Sequence, residues 1–180
     1  MAKKQAGKGA LVVQLKPEEA KTVLFRLLDA EPQVRDKVED LIRELLSEVD
    51  MEDVAADIEF ELEGLDLDDL NAATGEASGR YVGPDEAAWN LIREAVEPFL
   101  DDLKRRRTSG RRKEAAEICK GIVLGLYQAE KNDATSWAPD APLELAREAV
   151  EALGPALFPR GFAAKAVPKW AADLGGRRAK

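Results

Sequence analysis

Residues 84–131 read PDEAAWNLIREAVEPFLDDLKRRRTSGRRKEAAEICKGIVLGLYQAEK, and their apolar positions recur every three or four residues. This period predicts two long helices, because residues three and four apart share one face of an α-helix. Pro84, followed by two acids, is typical of a helix start. Residues 108–110 (TSG) supply a turn. The stretch therefore predicts a helical hairpin, with Pro98 expected to kink its first helix.

The chain before this hairpin has the same helical period. Pro17 and Pro32 each begin an amphipathic segment, and Asp50 is a suitable N-cap for a third helix. The first two segments are so close in sequence that we expect them to pack as an antiparallel hairpin. Residues 71–83 are small and polar and include three glycines, which predicts a long loop or a subdomain boundary.

Together these segments predict an all-α protein made of helical hairpins, packed as a bundle or as a short HEAT/TPR-like solenoid. Whether residues 10–15 form a strand stays open, because six residues are too few to distinguish a strand from a helix. The predicted organisation is a disordered basic arm (1–9), an N-terminal helical hairpin region (10–70), a glycine-rich loop (71–83), a C-terminal helical region (84–174) and a basic tail (175–180).

The composition excludes several kinds of chemistry. The 180 residues include no histidine and one cysteine, Cys119. Catalysis by Ser-His-Asp or Cys-His groups and zinc sites of Cys and His are therefore excluded, and no internal disulfide can form. No apolar run approaches the roughly 18 residues of a membrane span. We expect a soluble, cytoplasmic protein without a catalytic residue, a metal or a cofactor, and without a membrane partner.

Charge is strongly segregated along the chain. Residues 39–69 contain fourteen carboxylates and one base, whereas residues 104–113 contain seven bases and no acid. The basic run lies at the predicted hairpin turn, beside a helix start that favours anions. It is therefore a candidate site for an anion or a partner, and we call these seven bases the basic tip: Lys104, Arg105, Arg106, Arg107, Arg111, Arg112 and Lys113.

The acidic run is interpreted as solvated helix faces. Asp66 and Asp68 resemble the first two ligands of an EF-hand loop, but Leu70, Asn71 and Ala77 occupy later positions where that loop needs other residues. A divalent cation bound by this run stays an alternative.

A few single residues carry further predictions. Cys119 lies on an apolar helix face, which predicts a buried structural thiol. Gly121 and Gly125 are four apart and permit the close approach of another backbone. Trp89 and Trp170 fall on the apolar faces of their predicted helices, so both are predicted to pack in the core. Trp137 lies in a proline-flanked loop and is a candidate partner-facing aromatic.

Two segments, residues 80–89 (RYVGPDEAAW) and 114–127 (EAAEICKGIVLGLY), resemble the uncharacterised α-helical regions that accompany SWIM-type zinc fingers in prokaryotic proteins. Residues 24–49 are similar to the helical lead-in of such regions. The zinc finger needs several cysteines and a histidine, which this chain lacks, so the resemblance implies neither metal nor nucleic-acid binding. It implies a free-standing helical module.

Three functions follow as hypotheses. The favoured one is a non-enzymatic module or small adaptor that binds another protein or itself, with charge setting orientation and encounter rate. The second is a nucleic-acid-associated protein that uses the basic tip and the basic termini. The third is a carboxylate-based enzyme with a divalent ion.

Overall fold

A computed structural model describes residues 14–45, 49–77 and 80–174. The predictions for residues 1–9, for most of 10–15 and for 175–180 lie outside these ranges. The chain divides into two compact units, residues 1–48 and 49–180. The predicted all-α class is confirmed, with one small two-stranded hairpin added to it.

The first unit contains α1 (Pro17–Ala30) and α2 (Pro32–Leu45). The second contains α3 (Met51–Glu63), α4 (Leu67–Ala73), β1 (Gly75–Ala77), β2 (Arg80–Val82), α5 (Pro84–Thr108), α6 (Arg112–Lys131), α7 (Ala141–Leu153), α8 (Arg160–Ala166) and α9 (Ala171–Leu174). The predicted starts at Pro17, Pro32 and Pro84 are all confirmed, because proline has a backbone angle that suits the first turn of a helix.

Helices α1 and α2 are joined by one residue, Glu31, whose N–H donates to the carbonyl of Leu27. The two helices contact each other, yet no residue between 14 and 44 is fully buried. The antiparallel direction expected for the pair stays a prediction. The pair leaves its apolar side chains largely accessible.

Helix α6 is the centre of the second unit and contacts α3, α5 and α7. These four helices supply the fully buried side chains of the second unit, which include Ile58, Leu62, Ile92, Leu100, Leu103, Ile118, Ile122, Leu126, Leu145 and Leu153. Of the two predicted forms, this is the bundle. In a solenoid each repeat would contact only its neighbours in sequence, whereas α3 packs on α6.

The close contact between α3 and α6 occurs at the two glycines identified from the sequence. A Cβ atom on Gly121 would lie 2.6 Å from Val54 Cβ, and one on Gly125 would lie 2.7 Å from the carbonyl oxygen of Ala55. Real Cβ atoms do not approach so closely. The absence of side chains at these positions therefore sets the distance between the two helices.

The hairpin of α5 and α6 forms as predicted. Helix α5 is continuous through Pro98, and the turn at Ser109 and Gly110 leads into α6. Gly110 has φ +78°, a conformation that glycine adopts without the steric cost of a Cβ atom.

The unit boundary differs from the predicted organisation. It falls between residues 48 and 49, so α3 and α4 belong with the C-terminal helices. The predicted loop 71–83 instead contains the end of α4 and the antiparallel pair of β1 and β2, with Gly75 opposite Val82. The buried face of α3 is completed only by contacts with α5 and α6, which lie far away in sequence.

Candidate functional site

The basic tip is anchored to its own fold through several of its bases. Arg106 is buried, and its Nε donates to Asp102 Oδ2 at 2.9 Å. Arg105 pairs with the same carboxylate from the exposed side. Arg107 donates to the carbonyl of Ala152 in the last turn of α7, a position that also favours a cation through the helix dipole.

A second ion-pair cluster joins α5 to α7. Arg93 donates to both oxygens of Glu148, at 2.8 and 3.3 Å, and Lys104 Nζ lies 3.5 Å from the same carboxylate. The hydrogen bond from Arg93 lowers the pKa of Glu148, and the same bond raises the pKa of Arg93. Lys104 is therefore part of a structural link as well as of the basic tip.

The remaining bases of the tip lie around the start of α6. Arg111 is mostly covered and lies 3.9 Å from Glu114. Arg112 and Lys113 are exposed and form no ion pair with another described residue. Intramolecular contacts thus engage Lys104, Arg105, Arg106, Arg107 and Arg111, and the surface open to an anion centres on Arg112 and Lys113.

Trp137 lies in the turn region between α6 and α7 and is half-buried. Its indole Nε1 donates to the carbonyl of Ala134 at 3.0 Å, and its ring packs beside the core. The ring also lines a shallow pocket of about 540 Å³ together with Leu65, Asp66, Asp68 and Ser136. Trp137 therefore has a structural role, and it also borders a pocket that contains two carboxylates.

The other two tryptophans lie where core spacing indicated. Trp170 is buried and meets Tyr127 edge to face, with ring centroids 5.2 Å apart. Trp89 is half-buried, and the guanidinium of Arg93 lies over its ring at 5.4 Å.

The EF-hand-like acids form a helix cap. Asp66 Oδ1 accepts from the N–H groups of Asp68 and Asp69, at 2.8 and 3.0 Å, and Asp69 Oδ2 accepts from the N–H of Asp66. Asp50 caps α3 in the same way, as predicted. Within the described ranges, no three or more His, Cys, Asp and Glu side chains are arranged to hold a metal ion.

Cys119 is fully buried between the helices, as its position on an apolar face predicted. Burial raises the pKa of its thiol to about 12, since the thiolate would lose its hydration. At neutral pH the side chain is a protonated, apolar packing group.

Phe60 on α3 is a surface residue that the sequence-based reasoning missed. Its side chain is 74 % exposed, the most of any large apolar residue in the described ranges. The buried residues of α3 are Ala55, Ile58 and Leu62. Phe60 lies on the opposite side of the helix, since each residue advances the helix by about 100°. The sequence does contain a signal for the exposure of Phe60. Phe60 lies two residues from both Ile58 and Leu62, so it cannot share the helix face on which those two residues are buried.

Within residues 14–45, 49–77 and 80–174, none of the helices combines the length and the apolar character needed to cross a bilayer. No protein-family model, curated protein or solved structure matches the chain. The resemblance to SWIM-associated helical regions therefore stays a prediction.

Proposed function

We propose that this chain is a non-enzymatic interaction module of the cytoplasm that binds a basic protein partner through the exposed face of α3. The observation that carries the proposal is Phe60, a large aromatic side chain held outward on a helix that is firmly packed on its other side. Exposed aromatic side chains on rigid elements are typical anchors of protein interfaces.

The neighbours of Phe60 favour insertion of the ring into a partner. Residues three and four positions away share its surface, and these are Ala56, Asp57, Glu63 and Gly64. Ala56 and Gly64 are small, so they leave the ring projecting above the helix. Asp57 and Glu63 are exposed and place negative charge around it.

The charge of α3 indicates the sign of the partner. The helix carries six carboxylates and no base, so its outer face attracts a surface rich in lysine or arginine. Such a field raises the encounter rate and orients the partner, whereas desolvation of the aromatic ring supplies affinity. The implied partner surface has a small apolar pocket with a basic rim.

Nucleic-acid binding, the alternative function, has less support. Five of the seven bases of the tip already contact Asp102, Glu148, Glu114, Asp101 or the carbonyl of Ala152. Part of their charge is offset within the fold. The two exposed bases outside these contacts, Arg112 and Lys113, are adjacent in sequence.

Affinity capture tests the proposal with a matched pair of variants. Phe60→Ser removes the proposed anchor, and Tyr81→Ser removes another exposed aromatic, which lies on β2. Wild type and Tyr81→Ser should enrich the same basic protein from extract of the source cells. Phe60→Ser should recover at least about tenfold less of it, since anchor residues contribute about 2 kcal/mol or more.

The capture has outcomes that contradict the proposal. Equal recovery by Phe60→Ser and wild type would show that α3 is not the binding face. Enrichment of no protein by wild type, or recovery that is abolished by nuclease treatment, would exclude a direct protein partner. Near-UV circular dichroism of each variant verifies that the tryptophan environments, and hence the core, are unchanged.

A further inference from the structure

The helix pair α1–α2 presents the most extensive apolar surface of the described chain. Six large apolar side chains on these two helices are between 37 and 57 % exposed: Val23, Leu24, Phe25, Leu27, Leu41 and Ile42. They lie on a segment of about 30 residues in which nothing is fully buried. Exposed apolar patches of this extent mark interaction surfaces in soluble proteins.

The spacing on these helices fits contact with further helices. Ala20, Leu24 and Leu27 on α1 alternate steps of four and three residues, and so do Val34, Val38 and Leu41 on α2. This is the seam spacing of helix bundles and coiled coils. Each helix has only 14 residues, a length at which isolated helices are marginal in water, so both gain their stability from packing.

The remaining described chain offers no matching apolar face. Outside α1 and α2 its exposed large apolar side chains are Phe60 on α3, Tyr81 on β2 and Leu157 in the turn between α7 and α8. None of these three segments presents a stripe of exposed large apolar side chains at helical spacing. Another α1–α2 pair presents Leu24, Leu27 and Leu41 exposed, with Ala20, Val34 and Val38 half-buried along the same stripes.

The charges of the pair also suit contact with a copy of itself. Residues 16–44 contain six bases and eight acids, and both signs occur on both helices. In an isologous interface the same patch meets itself, so a patch of one sign would repel its copy. Helix α3, with six acids and no base, would repel a second copy of itself. The α1–α2 surface has nearly equal numbers of acids and bases, so it can meet its own copy without that repulsion.

We propose that α1 and α2 pack against α1 and α2 of a second copy of this chain, and that the four helices bury their apolar stripes in a two-fold interface. The proposed interface shares no residue with the face of α3 that carries the proposed function. The two proposals can therefore fail independently.

Sedimentation equilibrium of the full chain tests the interface. Wild type should shift from near 19.7 kDa toward twice that mass between about 1 and about 100 µM, the range that reveals a dissociation constant near 10 µM. Leu24→Glu/Leu41→Glu places two charges in the proposed interface and should stay at the monomer mass throughout. Self-association should weaken at least about a thousandfold, since each buried unpaired charge is costly.

The control variant is Gln33→Glu/Arg43→Gln, which changes net charge by the same two units. Both positions are exposed on α2, and neither is three or four residues from an apolar residue of the proposed interface. This variant should form dimers as wild type does.

Folding is monitored separately from association. Trp89, Trp137 and Trp170 all lie in the second unit, so their near-UV signal reports that core and not the α1–α2 pair. A wild type that stays monomeric to 100 µM would overturn the proposal. So would a Leu24→Glu/Leu41→Glu chain that dimerises as well as the control while keeping its tryptophan signal.

Discussion

Small side chains set the closest packing in the second unit. Gly121 and Gly125 let the backbone of α3 come within contact distance of α6, and Cys119 fills the adjacent interior as a neutral thiol. Such positions are sensitive to one added methyl group, because packed interiors have few voids that could absorb it. Gly125 faces the backbone of Ala55, which cannot rotate away as a side chain would.

Gly125→Ala should lower the free energy of unfolding by roughly 1–3 kcal/mol, the usual cost of overpacking a core. This net loss would appear despite the gain of about 1 kcal/mol in helix propensity that alanine brings. Urea unfolding measures it as a lower midpoint. Gly161→Ala is the control, because its Cβ meets nothing within 4 Å, and this variant should be at least as stable as wild type. Equal stability of the two variants would contradict the close approach.

Between elements, polar links complement the apolar core. Glu148 on α7 accepts from Arg93 on α5 and lies near Lys104, while Arg107 of the basic tip reaches the end of α7. These contacts explain part of the basic run as structural. They also make the α5–α7 contact dependent on pH, since the pKa of Glu148 is lowered by Arg93.

Glu148→Gln should cost about 1 kcal/mol of stability at pH 7. A carboxyl with a lowered pKa in the folded state stabilises the fold above its ordinary value of 4.5, and this contribution is lost as pH falls through the lower folded value. The stability difference between wild type and variant should therefore shrink below about pH 4.5. Denaturant unfolding at several pH values measures it.

Glu151→Gln is the matched control, since Glu151 is an exposed residue one turn further along α7. Glu151→Gln should change the free energy of unfolding by no more than about 0.5 kcal/mol at every pH, as most surface substitutions do. If the loss of stability in Glu148→Gln stayed unchanged at low pH, it would not come from the ion pair between Glu148 and Arg93.

The two units differ in how they are stabilised. The second unit has a continuous buried core around α6, whereas residues 14–44 include no fully buried side chain. Local opening is easiest where few apolar contacts hold the backbone hydrogen bonds. The two units should therefore open with very different free energies.

Hydrogen exchange of the Leu24→Glu/Leu41→Glu chain tests this difference without a contribution from self-association. Amides of α6 should exchange slowest, and those of α1 and α2 should exchange at least about a hundredfold faster. The β1–β2 hairpin serves as an internal reference for a short, exposed element. If the amides of α1 and α2 were protected as strongly as those of α6, the prediction that the α1–α2 pair opens more easily would be wrong.

Local features were predictable from the chain because they depend on neighbours in sequence. The helix starts at proline, the cap at Asp50, the turn before α6, the buried thiol and the close approach at Gly121 all follow from period and residue type. The candidate sites depended on distant residues and were less predictable. Two contacts of the basic tip, with Glu148 and with the carbonyl of Ala152, join residues about 45 positions apart, so local sequence does not predict them. The exposure of Phe60 likewise depends on which side of α3 is buried by other helices.

The amino-acid order settled the all-α class and most element positions, because helical period and capping are short-range effects. Tertiary contacts decided which helices share a core, where the chain divides and which charges remain exposed. The physical reason is that burial and ion pairing depend on residues far apart in sequence, such as Ala55 with Gly125 and Arg93 with Glu148.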